Sequence, residues 1–332
     1  MTNPLLTDQL LPRFDAIRPE HVGPAIRGLL DANRARIAGL ATGEPPTFAG
    51  VIEPLEEMNH RLARAWSPVS HLNAVVNSPG LREQFNECLP LLSAYHTDLG
   101  QSEALYRACN AVAEREAATL DPVQQRVIEH MLRDFRLAGV ALDPARKARF
   151  KQLMLELATL QSKFEENVLD ATNAWTRHVT DAAELAGLNE AIVEQARQRA
   201  HERRTEGWLL ALDQPTYVAV LTDAESRTLR RDFYEAWSTR ASDRGPLAGR
   251  WDNSPVMEDI LRRRHEAAQL LGFDNFAAYA LATRMAKSVP EVIDFLHELA
   301  RAARPAAQRE FAELEQFAGT KLEAWDVAFW SE

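Results

Sequence analysis

With 332 residues, 46% of them hydrophobic and 26% charged, the chain is long enough to bury a substantial core and has the balance of an ordinary globular protein. Fourteen Gly and 17 Pro are too few for a loop-rich or disordered polypeptide, and a net charge of −10 disfavours a nucleic-acid partner, which needs a concentrated basic surface. Two cysteines make no disulfide framework, the Met1-Thr2-Asn3-Pro4 opening has no basic-then-apolar leader, and no apolar run approaches the roughly 18 residues of a membrane span, so a cytoplasmic chain is expected.

In chain order, helical periodicity predicts helices over 19–41, 49–65 and 80–116. Asp121-Pro122 then supplies an N-cap with proline at the first helical position, where its missing N–H costs nothing. Val123, Val127, Ile128, Met131, Leu132 and Phe135 form the apolar stripe behind it, and Gly139 is the stop. The same start recurs at Asp143-Pro144, and a seam from Phe150 to Val168 runs on toward Trp175. Unbroken, that helix spans about 45 Å, and the short connection predicts an antiparallel pairing with its predecessor.

Helices follow over 189–204, 223–240, 254–271, 274–286 and 288–318, with Ser288 and Glu291 spaced as a capping box and Pro305 expected to kink or split the last one. Between them, 208–212 and 216–221 are apolar and partly β-branched, separated by Asp213-Gln214-Pro215, and predict a pair of short strands. The expected fold is therefore mainly α, a multi-helix antiparallel body with one short β-hairpin near 208–221. A division near 140–145 gives an N-terminal helical region, 1–142, and a second region, 143–332. No 34- to 47-residue repeat marks a solenoid. The basic runs 197–204 and 262–264 are interleaved or flanked with acidic residues and read as solvated helix faces.

A search for chemistry finds beginnings without ends. His201-Glu202, His265-Glu266 and His297-Glu298 each open an H-E-x-x-H pattern, which needs a second His four residues on, on the same helix face. Thr205, Gln269 and Arg301 occupy those positions, and no two of the nine histidines are three or four residues apart. Asp294 and His297 share a face, but a polar pair on an amphipathic helix is the plainer reading. Phosphate-binding loops and a G-x-S-x-G elbow are absent. The stretch 66–79 mixes Trp, Ser, His and Asn between two prolines. His71 and Asn73 there are candidates to hold a ligand's backbone, against a structural role in capping a helix and satisfying a bend. The polar loop 238–246 is rich in hydrogen-bonding groups but names no reaction.

Several strings carry a resemblance. They are Asn3-Pro4-Leu5-Leu6, Ser67-Pro68-Val69-Ser70-His71-Leu72-Asn73, Asn167-Val168-Leu169-Asp170-Ala171-Thr172, Ser238-Thr239-Arg240-Ala241-Ser242-Asp243, Trp251-Asp252-Asn253-Ser254, Leu270-Leu271-Gly272-Phe273, and Trp325-Asp326 followed by Ser331-Glu332. In order and spacing they resemble the N-terminal half of the thimet-oligopeptidase-like zinc metallopeptidases, across essentially the whole chain.

The resemblance implies half of a channel-containing oligopeptidase fold. Its substrates would be short peptides, its cofactor Zn2+ in the full-length enzyme, and its partner a C-terminal catalytic half that carries the H-E-x-x-H helix and the third ligand. It assigns no catalytic residue and no metal ligand to this chain, and implies that the chain alone is inactive, forming a channel wall and size filter. No nucleic acid, no membrane and no zinc in this portion are expected. A competing reading from the same residues is a non-catalytic helical peptide-binding or scaffold protein.

Overall fold

The computed structural model describes residues 3–40 and 45–332. Met1-Thr2 of the opening and residue 41, the end of the expected first helix, lie outside the described residues. The chain divides into two units: Met1–Ser162 with Ile260–Tyr279, and Lys163–Asp259 with Ala280–Glu332.

The first unit is helical. Helices α1 (Pro19–Leu40), α2 (Glu53–Val75) and α3 (Pro79–Gly100) pack Val22, Ile26 and Leu30 against Leu62, Val69, Phe85 and Leu92. Helix α2 runs on through Pro68, so most of the 66–79 stretch is helix, and Ser78 caps α3 by accepting from the Leu81 N–H at 3.3 Å. The single helix expected over 80–116 is two, because α3 ends at Gly100 and Ser102 caps α4 (Glu103–Arg115). Gly100 is obligatory there: a Cβ would lie 2.5 Å from the Ala138 Cβ.

Helix α5 (Pro122–Leu137) begins as its sequence predicts. Asp121 Oδ1 accepts from the Val123 and Gln124 N–H groups at 2.8 Å, while Gln124 Oε1 accepts from the Asp121 N–H at 3.0 Å. It packs Ile128 and Phe135 onto Leu105, Cys109 and Val112 of α4. The long helix α6 (Pro144–Ala174) follows. Its Phe150 and Leu153 pack on Ala267 of α10 (Ser254–Leu270). Arg149 donates to both Glu266 oxygens at 2.6 Å, and Arg263 donates to Glu156 at 2.7 Å, so Arg263 of the 262–264 run is spent locally. A short helix, α11 (Phe276–Leu281), follows α10. Cys88 and Cys109 are both buried and free, and burial pushes the Cys109 thiol up to about 12.

The second unit holds the only sheet among the described residues. Strand β1 (Thr176–Val179) pairs antiparallel with β2 (Trp208–Ala211), Thr176 opposite Ala211 and Val179 opposite Trp208. A mainly α fold with one short two-stranded sheet is thus present, and 208–211 is one of its strands. The expected second strand, 216–221, is instead part of helix α8 (Gln214–Asp223). Asp213 accepts from the Thr216 N–H at 3.0 Å, and Pro215 sits in the first turn, so the presumed turn is a helix start.

Around the sheet, α7 (Glu190–Glu202) and α9 (Arg227–Ser238) enclose Trp175, Leu210, Val220, Leu229 and Phe233. Helix α12 (Val289–Ala318) runs unbroken through Pro305, in the stretch Ala302-Ala303-Arg304-Pro305-Ala306-Ala307 that is rich in alanine, the strongest helix former. Ser288 caps it, Glu291 accepts from the Lys287 N–H, and Gly319 ends it with a left-handed φ of 66°. The last element is α13 (Val327–Ser331). Among the described residues no helix is long and apolar enough to cross a membrane.

Candidate functional site

In the first unit the segment 4–17 is pinned at both ends, by Leu5 and Ile17 in the α1–α3 core. Asn3 fixes its start: Nδ2 donates to the His21 carbonyl at 2.8 Å, and Oδ1 accepts from the Leu5 N–H at 3.0 Å. Arg18 closes the other end on the Asp15 and Ile17 carbonyls, both at 2.8 Å. Between these anchors Leu10 and Leu11 are left 89% and 75% exposed.

That segment overhangs one face of α2. His60, Arg64, Ser67 and His71 follow each other at i, i+4, i+7 and i+11, a spacing that keeps all four side chains on one side of the helix. Together with Leu10, Leu11 and Phe14 they line an open cleft of about 500 Å³. Arg64 donates to the Gln9 carbonyl, and the Phe14 ring stands 5.6 Å from the His71 imidazole. Chemically the cleft offers one apolar wall and one of imidazole and guanidinium donors, suited to a chain with alternating side chains and carbonyls.

Of the two candidates from sequence, only His71 reaches the cleft. Asn73 is tied to the end of α2: its carbonyl and its Oδ1 accept from Asn77 Nδ2 at 2.9 and 2.8 Å, and Asn77 Oδ1 in turn accepts from Arg82 Nε at 3.1 Å. His60 and Arg64 were not singled out from sequence, although their four-residue spacing to one another and seven to His71 from Arg64 is visible in it.

A second cleft of the same unit, about 440 Å³, is lined by Glu56, Asn59, His96, His130 and Asp134 over Met131 and Phe135. Burial holds the His96 imidazole below its usual range, favouring its neutral form. Asp134 is engaged by Arg133 at 2.8 Å.

The second unit is organised by a buried carboxylate. Asp326 accepts from Arg227 and Arg230 at 2.7 and 3.0 Å and from the Glu323 N–H at 3.1 Å. Burial alone would raise its pKa, but the hydrogen bonds from the two arginines overturn that and hold it at about 2. The Arg230 guanidinium also stacks over Phe329, 4.1 Å from the ring centroid. The 238–246 loop spends its polar groups on itself and on its neighbours, Arg240 reaching Thr172 Oγ1 at 3.4 Å. Ser242 Oγ donates to the Thr239 carbonyl at 2.8 Å, and the Ala241 carbonyl accepts from the Asn253 N–H at 2.9 Å. Asn253 is itself locked, accepting from Asn167 at 2.8 Å and donating to the Phe164 carbonyl at 3.0 Å.

Among the described residues no three His, Cys, Asp or Glu side chains converge as ligands. Of the three His-Glu pairs, Glu266 is held bidentate by Arg149, and His297-Glu298 stands exposed on α12.

Comparison with known proteins gives two family matches. Residues 26–147 match the N-terminal domain of neurolysin/thimet oligopeptidase, and 220–332 match peptidase family M3. Oligopeptidase A of Salmonella typhimurium is 47% identical over 339 residues, covering 100% of this chain and 50% of the relative. Oligopeptidase A of Escherichia coli is 46% identical with the same coverage. Dipeptidyl carboxypeptidase of Escherichia coli is 30% identical, covering 99% of this chain and 50% of its own length. The chain spans about half the length of the curated relatives it matches.

Proposed function

Because the chain belongs to the thimet-oligopeptidase-like peptidases of family M3, we propose that it is the N-terminal portion of a cytoplasmic zinc-dependent oligopeptidase that hydrolyses short peptides in a deep channel. In this reading the chain contributes a channel wall and size filter, while the ligands of the zinc come from the part of the relatives it does not span. One observation carries the proposal: end-to-end similarity at 47% identity to half of an oligopeptidase.

Within the wall, the cleft beneath 4–17 is the place for a peptide segment. His71 and His60 supply ring nitrogens to backbone groups, and Arg64 supplies a guanidinium to a carbonyl or a terminal carboxylate. Asn73 acts one step away, fixing the turn that ends α2.

The test is a cleavage assay of the 332-residue chain with added Zn2+ and a short fluorogenic peptide. No turnover is expected. Zinc-dependent cleavage by this chain alone overturns the assignment of the metal site to another portion.

A further inference from the structure

Helix α12 is 30 residues long, about 45 Å, and buries none of them. Its sequence is nevertheless that of a helix built to be covered. Ile293, Phe295, Leu296, Leu299, Phe311 and Phe317 are each between 40% and 76% exposed. At 100° per residue they fall, with Leu314 and the alanines between, on one side of the helix, while Asp294, Glu298 and Arg301 fall on the other. The helix is finished at both ends, by the Ser288 cap and the Gly319 turn, so the stripe is preformed and needs no folding on contact. An exposed apolar surface of this length is not the mark of a free monomer.

We infer that this stripe is the docking surface for the portion of the M3 relatives that the chain does not span, and that α12 is the seam along which that portion is held. The inference rests on the family reading above and adds the surface that serves it. Two observations favour this occupant. The relatives are about twice the length that the chain matches, so a polypeptide of comparable size accompanies this half in them. The stripe also lies inside the 220–332 match to the peptidase family. A lipid surface is disfavoured by charge: α12 carries six acidic side chains against three arginines, whereas helices that lie on anionic membranes have a basic polar face.

The test joins the 332-residue chain to the half of Salmonella typhimurium oligopeptidase A that it does not match, as one fused polypeptide and as two polypeptides mixed. Hydroxyl-radical labelling of Phe295, Leu299 and Phe317 is compared with the 332-residue chain alone, with His297 on the opposite face as control. The expected result is at least a tenfold drop in labelling of the three apolar residues in either format, with His297 unchanged.

A Leu299→Glu/Phe317→Glu variant is expected to lower hydrophobic-dye binding of the 332-residue chain several-fold and to abolish the protection. A stripe that stays labelled in both formats overturns the inference, as does a chain whose stripe is already protected by a second copy or whose dye binding the variant leaves unchanged. The two readings fail separately. Protection without zinc-dependent peptide cleavage sinks the peptidase assignment and leaves the seam; cleavage with an unprotected stripe does the reverse.

Discussion

Asp326, 1% exposed, and Arg230, 3% exposed, meet at 3.0 Å in the second unit. They lie 96 residues apart in sequence, so the last residues of the chain are held by the first turns of α9. Burying a charge pair is tolerable only when the remaining lone pairs are also used, and here Arg227 and the Glu323 N–H use them.

Asp326→Ala removes the carboxylate and leaves the buried Arg230 guanidinium without a counter-charge, held only by the Ala224 and Glu225 carbonyls and the Phe329 ring. A loss of about 3–5 kcal/mol in unfolding free energy is expected, the usual cost of orphaning a buried partner. Urea denaturation followed by circular dichroism measures it, and a loss below about 1 kcal/mol would show the pair to be dispensable.

The same carboxylate sets an acid limit. Its pKa is about 2 in the folded chain against 3.8 when unperturbed. A lowered folded-state pKa means that the unfolded chain binds the proton more readily. The stability it confers is therefore complete above about pH 4 and lost as pH falls through about 2. The contribution at neutral pH is about 2 kcal/mol, and the slope of stability against pH between 4 and 2 should flatten in Asp326→Asn.

Asn253→Ala breaks two side-chain hydrogen bonds at once, taking a partner from the Asn167 amide and from the Phe164 carbonyl. A destabilisation of about 2–3 kcal/mol is expected. Hydrogen exchange over 238–249 should accelerate more than exchange in α8, because the Ala241 carbonyl is held by the backbone of the same asparagine.

His71→Ala and Asn73→Ala should divide cleanly. The first removes a cleft side chain, so a labelled short peptide should bind the 332-residue chain about tenfold more weakly with the urea midpoint unmoved. The second costs about 1 kcal/mol of stability, through the lost Asn77 contact, and should leave peptide binding within twofold. Equal effects of the two on binding would remove His71 from the site.

Helix positions were legible wherever a cap, a proline and an apolar stripe coincide, as at Asp121-Pro122 and Ser288. The same cap-then-proline signal stands at Asp213-Gln214-Pro215, but the β-branched residues behind it pointed to a strand; burial of Val220 and Leu221 in a helical core settled the matter. Strand β1 gave no signal, since Thr-Arg-His-Val is short and its partner lies some 30 residues away. The helix expected to end at 65 runs on to Val75, passing through Pro68, which is buried. At the cleft, the spacing of His60, Arg64 and His71 is local and readable, whereas the return of 4–17 over α2 depends on Leu5 and Ile17 finding a core built by three later helices.

Both thiols sit in the first unit, each sealed in a different helical cluster, and neither ionises at neutral pH when Cys109 is held near 12 and Cys88 is also raised by burial. A disulfide-exchange reagent therefore acts on this chain as a clock for one half of it. Colour develops at the rate at which Met1–Ser162 with Ile260–Tyr279 opens, while the unit that holds Asp326 can come apart without releasing any.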